Sequence, residues 1–315
     1  MSNRRKAMTE AEMDARYNEL SNGKEQPQST DFRDKCKGAI MGLAVADALG
    51  SVIEFAPKFG HHWVDQMEEC KVWHNPKGYV TDDTSMALNI MQGYLYDPEH
   101  YHVRNVAKAF VRWMDDGQWS ATGNCFDIGS SCSSGLRAFK RSGSLVNGTD
   151  FSRGCGGIMR FAPSWMVEYK VSGDKMANRR MGAMLDINNI DHYNYECIGA
   201  ISKLANIFNE HLLDNRRTRE LCHYKSWREA SGGFDAEGCL ETALWSFNYT
   251  RNFRDAVVAC INIGGDADSC GAVCGQIAGS YYGYKSIPKA WLTDLHDREK
   301  IEAFTDRFLD ATIAA

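Results

Sequence analysis

Two stretches of this chain place a small residue at every fourth position: Gly38, Gly42, Ala46 and Gly50 in one, Gly271, Gly275, Gly279 and Gly283 in the other. Residues four apart in an α-helix stack on one face. Each set is therefore a ridge without side-chain bulk, against which a second backbone can lie at close range. Glycine in a helix interior costs about 1 kcal/mol per position relative to alanine. Its repeated use implies a packing requirement. Both stretches are predicted to be central, buried helices, and each is a candidate to pack on the other.

Further helical patterns cover residues 84–95, 103–116, 129–141, 195–213 and 236–249. Ala107, Phe110, Val111 and Met114 form one apolar face, and Ile198, Ile201, Leu204, Ala205 and Phe208 form another. Residues 253–263 suit either a helix or a strand, because Val257, Val258, Ile261 and Ile263 also fit an extended run. Strands and helices do not alternate regularly, and hairpin signals are weak. The pattern predicts one all-α domain over residues 34–315. Residues 1–33 read as an extension. Thr9 and Glu12 have capping-box spacing for a short helix ending near Leu20. Ser21 to Thr30, with Gly23 and Pro27, reads as a linker. With few apolar residues, the extension is expected outside the core, as a disordered tail, a lid or a partner-binding arm.

The formal charge of −5 gives no electrostatic reason to expect nucleic acid or an anionic membrane as a partner. The longest apolar stretch, Gly38 to Gly50, is short for a bilayer span and contains Asp47. Asp47 is expected to be buried and hydrogen-bonded, in a structural role. The 11 cysteines are odd in number and form no Cys-x-x-Cys pair. That pattern predicts reduced thiols and a cytoplasmic location.

Chemistry concentrates in two acidic runs, Thr81-Asp82-Asp83-Thr84 and Gly264-Gly265-Asp266-Ala267-Asp268-Ser269. Each precedes a helix, so each Asp can serve as an N-terminal cap. Each run also offers two carboxylates and a hydroxyl, and together they would make an all-oxygen cage for hard divalent cations. Spacing alone does not choose between these readings. Glu54 follows the first ridge, and Asp127 leads into the helix pattern at Gly129. Ser152 to Pro163 is a glycine-rich loop of a kind that turns backbone N–H groups toward a phosphate, although it matches neither common nucleotide fingerprint.

Taken together, these segments resemble the ADP-ribosylglycohydrolase family, in order and over nearly the whole chain after residue 34. The resemblance is carried by Gly38 through Asp47 to Glu54, by Thr81 to Thr84, by Gly156 to Pro163, by His192, and by Gly264 to Gly271 with Tyr281-Tyr282-Gly283. It implies an all-α, compact orthogonal helical bundle and a centre of two divalent cations, Mg²⁺ or Mn²⁺. The implied ligands are Thr81, Asp82, Asp83, Asp266, Asp268 and Ser269, with Asp83 and Asp266 also central to catalysis. Glu54 would contact the reacting ribose or its water. Gly129, Gly156, Gly157, Ile158, Met159 and His192 would bind the substrate.

The segment Cys125 to Gly129 is similar to that of the nitrogenase-reactivating branch, which removes ADP-ribose from arginine. The similarity implies an ADP-ribosylarginine hydrolase acting on a modified protein, with Asp127 near the departing guanidinium. Alternatives are a hydrolase of serine-linked ADP-ribose or of small ADP-ribose esters, or a non-enzymatic binder of ADP-ribose or a toxin. Some bacterial relatives protect against ADP-ribosylating toxins, which makes residues 1–33 a candidate arm for such a partner. The chain departs from the family pattern at Ser269, where Thr is usual, at Asp191 before His192, and at Arg153-Gly154-Cys155.

Overall fold

The computed structural model describes residues 6–58, 60–173, 181–192, 194–218 and 222–313. Among them the structure is helical, and the only β feature is an isolated bridge between Cys70 and Asn75. The helices are α1 Glu10–Ser21, α2 Phe32–Gly50, α3 Asp82–Leu95, α4 Val103–Asp116, α5 Ser130–Ser142, α6 Gly156–Met159 and α7 Phe161–Ser172. They continue as α8 Gly182–Asn189, α9 Tyr195–Phe208, α10 Ala236–Tyr249, α11 Phe253–Ile261, α12 Ala267–Tyr282, α13 Lys289–Asp294 and α14 Arg298–Thr312.

The two small-residue ridges meet, α2 against α12, running antiparallel. A Cβ built on Gly42 would lie 2.3 Å from the Gly275 carbonyl oxygen, and one on Gly275 would lie 2.1 Å from that of Gly42. Gly38 pairs with Gly279 in the same way, at 2.5 and 2.0 Å. At the far end, a Cβ on Gly50 would sit 2.3 Å from the Ala267 carbonyl oxygen. None of these contacts tolerates a methyl group. The antiparallel register carries the C-terminal end of α2, and Glu54 beyond it, to the N-terminal end of α12. By length and composition the stretch Phe32–Ile53 could cross a bilayer, but 94% of its most apolar 18 residues are buried within the fold, where it serves as a core helix.

Residues 253–263 resolve as helix α11, because the Asn252 side chain accepts the Asp255 N–H and caps it, while Phe253 and Asp255 to Ile261 are buried. The predicted helix 195–213 is α9 followed by a π-helical turn, Asn209–Leu213. The glycine-rich loop differs from its prediction. Only residues 152–155 are loop; Gly156 starts the short helix α6, and α7 follows after Arg160. Pro163 does not interrupt α7, since in the first turn its missing N–H has no intrahelical partner to lose.

The extension also differs from expectation. Helix α1 forms with its capping box between Thr9 and Glu12, but it is no appendage. Met13, Tyr17 and Leu20 are buried in the main core. Tyr17 stacks on Trp227 at 5.2 Å, and its hydroxyl donates to the Ala259 carbonyl at 3.1 Å. The following segment is also tied down, with the Gln26 N–H on the Arg251 carbonyl and the Ser29 N–H on that of Tyr281. Three buried side chains at i, i+4 and i+7 suffice to dock one helical face, a signal that overall composition dilutes. Residues 1–5 of the extension lie outside the described residues.

Candidate metal centre and substrate pocket

The two acidic runs converge. The start of α3 is held to α2 by Asp47, whose carboxylate accepts the Thr81 N–H at 3.0 Å, the Thr81 hydroxyl at 2.9 Å, the Thr84 N–H at 3.1 Å and the Thr84 hydroxyl. This buried group is the structural anchor its position suggested. The start of α12 is shaped by Gly264 and Gly265, both at positive φ (80° and 74°), conformations that favour glycine. The Gly265 N–H bonds to the Ala56 carbonyl at 2.9 Å and the Gly265 carbonyl accepts the Phe55 N–H at 2.8 Å. That reciprocal pair fixes Glu54 beside the second acidic run. Carboxylate oxygens of Glu54, Asp127 and Asp268 all lie within 4.8 Å of one another.

So many buried carboxyls in one place resist ionisation. Burial, then the neighbouring Asp268, raises Glu54 to about 9 and Asp47 to about 7. Asp127 is raised to about 12 by burial and by Asp82, Asp268 and Glu54. Asp82, Asp83 and Asp266 are pushed well above the usual carboxylate range, first by burial and then by neighbours that include Asp268.

Most of these groups border a cavity of about 240 Å³, with Asp47 and Asp83 set behind it. Glu54, Asp82, Asp127, Asp266, Asp268 and Ser269 lie along it, and Gly129, Gly154, Gly156, Met159 and His192 form more of its wall. Thr81 and Asp83 are buried just behind this surface. Gly157 and Ile158 are not on the cavity wall. The α6 turn faces them inward, so that a Cβ on Gly157 would lie 2.1 Å from Asn188 Oδ1, and Ile158 is fully buried. His192 packs against the loop closely enough that a Cβ on Gly156 would lie 2.2 Å from its Cε1.

Sequence reasoning missed several lining or supporting groups. Trp73 donates its indole N–H to Glu54 at 2.7 Å. Cys155 lines the cavity and donates its thiol to Asp266 at 3.1 Å. Phe55 and Phe234 also line the cavity, stacked at 6.2 Å and respectively 53% and 62% exposed. Trp73 and Phe234 come from irregular segments with no periodic pattern to mark them.

Compared with models of known families, residues 28–315 match ADP-ribosylglycohydrolase. This chain belongs to the ADP-ribosylglycohydrolase family. It is similar to the ADP-ribosylarginine hydrolase Tri1 of Serratia proteamaculans (strain 568), 32% identical over 304 residues, covering 89% of this chain and 80% of that protein. It is also similar to the ADP-ribosyl-[dinitrogen reductase] glycohydrolase of Rhodospirillum rubrum, 27% identical over 301 residues, covering 89% and 96%. Among solved structures, an ADP-ribosylglycohydrolase-related protein complex matches with a TM-score of 0.74 and 29% identity, over 90% of this chain and 100% of that one. The all-α architecture expected from the sequence is the family's fold.

The residues of this glycohydrolase fit the divalent-cation centre that the family resemblance implies. The donor set is all oxygen, as hard cations require. Asp83 Oδ1 and Asp127 Oδ2 are buried without a hydrogen-bond partner, an arrangement that is costly unless something positive meets them. A cation would also relieve the mutual repulsion that raises these carboxyls. Nearby, a second cluster needs no ion. Asp191, where the family pattern has Thr, receives both terminal nitrogens of the buried Arg160, at 2.8 and 2.5 Å. His192 Nδ1 lies 3.0 Å from Asp191 Oδ1 without alignment for a hydrogen bond. Arg160 holds the Asp191 carboxyl below the usual range against the opposing effect of burial.

Proposed function

We propose that this chain releases ADP-ribose from arginine side chains of a modified protein. The observation that carries the proposal is the triangle of Glu54, Asp127 and Asp268 oxygens, within 4.8 Å of one another at the cavity. The relatives named for ADP-ribosylarginine and for ADP-ribosyl-[dinitrogen reductase] support the arginine linkage. Thr81, Asp82, Asp83, Asp266, Asp268 and Ser269 would hold two divalent cations, Mg²⁺ or Mn²⁺. Such ions supply Lewis-acid binding of vicinal ribose hydroxyls and neutralise crowded carboxylates.

Breaking the glycosidic bond builds positive charge at the anomeric carbon. Glu54, oriented by the Trp73 indole, sits where it can stabilise that charge or align the attacking water. Asp127 is held at φ 58°, a strained conformation for a non-glycine residue, and its Oδ2 is unpartnered. That oxygen suits pairing with the guanidinium and returning a proton to it. The backbone near Gly154 and Gly156, with His192, is suited to the diphosphate. The stacked pair Phe55 and Phe234 offers a flat apolar contact at the cavity for a planar group. The eleven free cysteines are in keeping with work in the reducing cytosol.

The test compares ADP-ribose release from arginine-modified and serine-modified proteins, using wild type and Asp127→Ala. The proposal expects wild type to prefer the arginine linkage and Asp127→Ala to lose that activity selectively. Equal or better release from serine would transfer the assignment to the serine linkage. A role as toxin partner is a separate proposal for the exposed face of α1, which carries Glu12, Arg16 and Glu19. Unchanged toxin affinity after deletion of residues 1–21 counts against it.

A further inference from the structure

Helix α1 lies outside the matched family region, yet it fastens two segments that lead to the cavity wall, one from Phe55 and one to Phe234. On one side the Met8 N–H donates to the His61 carbonyl at 3.2 Å, and Tyr17 meets Trp63 edge-on at 5.5 Å. His61 backs the Gly264 turn, where a Cβ on Gly264 would lie 3.3 Å from its Nε2. On the other side Tyr17 stacks on Trp227. Asp14 accepts the Trp227 indole N–H at 3.1 Å and an Arg228 nitrogen at 2.5 Å, and Glu10 accepts Arg228 Nε at 2.7 Å.

The two sides are also joined to each other, because Lys58 Nζ donates to the Arg228 carbonyl. Trp227 and Arg228 stand a few residues before Gly232, whose carbonyl accepts the Asp266 N–H at 2.8 Å, and before Phe234 in the cavity wall. Gly232 itself is held at φ 66°, and a Cβ on Gly265 would come within 2.4 Å of its oxygen. No regular secondary structure supports residues 222–235, so packing must fix their place.

We propose that α1 is a positioning strap added to the family core, which sets the spacing of Phe55 and Phe234 at the cavity and supports the Gly232–Asp266 contact. The strap acts on substrate capture, through the aromatic pair, more than on bond cleavage. Tyr17 is its pivot: it is buried among Trp63, Trp227 and Trp245 and belongs to no reacting group. The inference rests on the proposed release of ADP-ribose from arginine.

The experiment measures kcat and KM for ADP-ribosylarginine with wild type, Tyr17→Phe, Tyr17→Ala and the double variant Glu10→Gln/Asp14→Asn, alongside melting curves. Tyr17→Phe keeps the ring stacking and is expected to match wild type in kcat and KM, with a slightly lower melting temperature from the lost hydrogen bond to the Ala259 carbonyl. Tyr17→Ala is expected to raise KM about tenfold while kcat stays within about twofold, since one well-packed aromatic contact is worth on the order of that factor. The double variant, which leaves the core intact, is expected to raise KM in the same sense. A folded Tyr17→Ala with unchanged KM overturns the proposal, as does a fall in kcat alone. If Tyr17→Ala does not fold, the double variant decides, and an unchanged KM there overturns it. Failure of the wild type to release ADP-ribose refutes the underlying activity instead, so the two failures are distinct.

Discussion

The Asp47 carboxylate receives both the backbone N–H and the hydroxyl of Thr81, at 3.0 and 2.9 Å. Through this pair the C-terminal part of α2 dictates where α3 begins. The first acidic run is thereby anchored to the same helix whose glycine ridge fixes α12 and the second run. One buried residue and one row of glycines therefore place both halves of the site. Replacing Asp47 with Asn keeps the shape but turns an amide N–H₂ toward groups that are themselves donors. Asp47→Asn is expected to lose about 3 kcal/mol of stability, as charged hydrogen bonds of this kind carry about 1.5–3 kcal/mol each. Its divalent-cation affinity should fall roughly 10–100-fold, the effect typical of lost second-sphere support. Denaturant unfolding and calorimetric titration with Mn²⁺ check the two effects.

Stability of the metal-free protein should depend on pH in a defined direction. Burial and Asp268 raise Asp47 to about 7 and Glu54 to about 9, whereas unfolded carboxyls titrate near about 4. Above that unfolded value the folded chain retains protons that the unfolded chain has released. Stability therefore falls as pH rises, through about 7 for Asp47 and about 9 for Glu54. Melting temperatures in chelator-treated buffer should decline from about pH 5 to pH 9. Mn²⁺ should recover the loss at the alkaline end, where the carboxylates are ionised. A melting temperature that climbs over this range without metal would contradict the crowded-carboxyl picture.

Gly275→Ala and Gly129→Ala make a matched contrast. The first would put a methyl 2.1 Å from the Gly42 carbonyl oxygen at the centre of the α2–α12 crossing. Overpacking of this kind costs about 1–3 kcal/mol or more, here at the top of that range because the obstacle is backbone. A methyl added at Gly129 would meet nothing within 4 Å, and the backbone there has no positive φ, so this alanine variant should fold and melt like wild type. Thermal melts of the two variants check the contrast.

Much of this was legible in the sequence, for local reasons. The spacing of Gly38, Gly42 and Gly50 and of Gly271, Gly275 and Gly279 is a periodic signal, and the structure places these residues in one crossing. The helices starting at Val103 and Ala236 match their predicted bounds, because their apolar faces and end residues are strong. The convergence of Asp82 and Asp83 with Asp266 and Asp268 was not contained in either run, and came only from the family resemblance. The docking of α1 was hidden because three apolar residues in a polar segment carry little weight in composition. The α6 turn was hidden because Gly156 and Gly157 argue for loop, and only packing against His192 and Asn188 shows why bulk is excluded there. Phe234 and Trp73 belong to irregular segments, whose positions follow from tertiary contacts that no short-range pattern records.

The most direct test is release of ADP-ribose from arginine-modified protein in chelator-treated buffer, with Mn²⁺ or Mg²⁺ titrated back. Wild type, Asp83→Ala and Asp266→Ala would be compared. If the two acidic runs form one cation centre, wild-type activity disappears on chelation and returns with metal. Each variant should lose at least about 100-fold, since removing a ligand costs more than removing its support. Full activity of the wild type without metal, or of either variant, would contradict a shared cation centre.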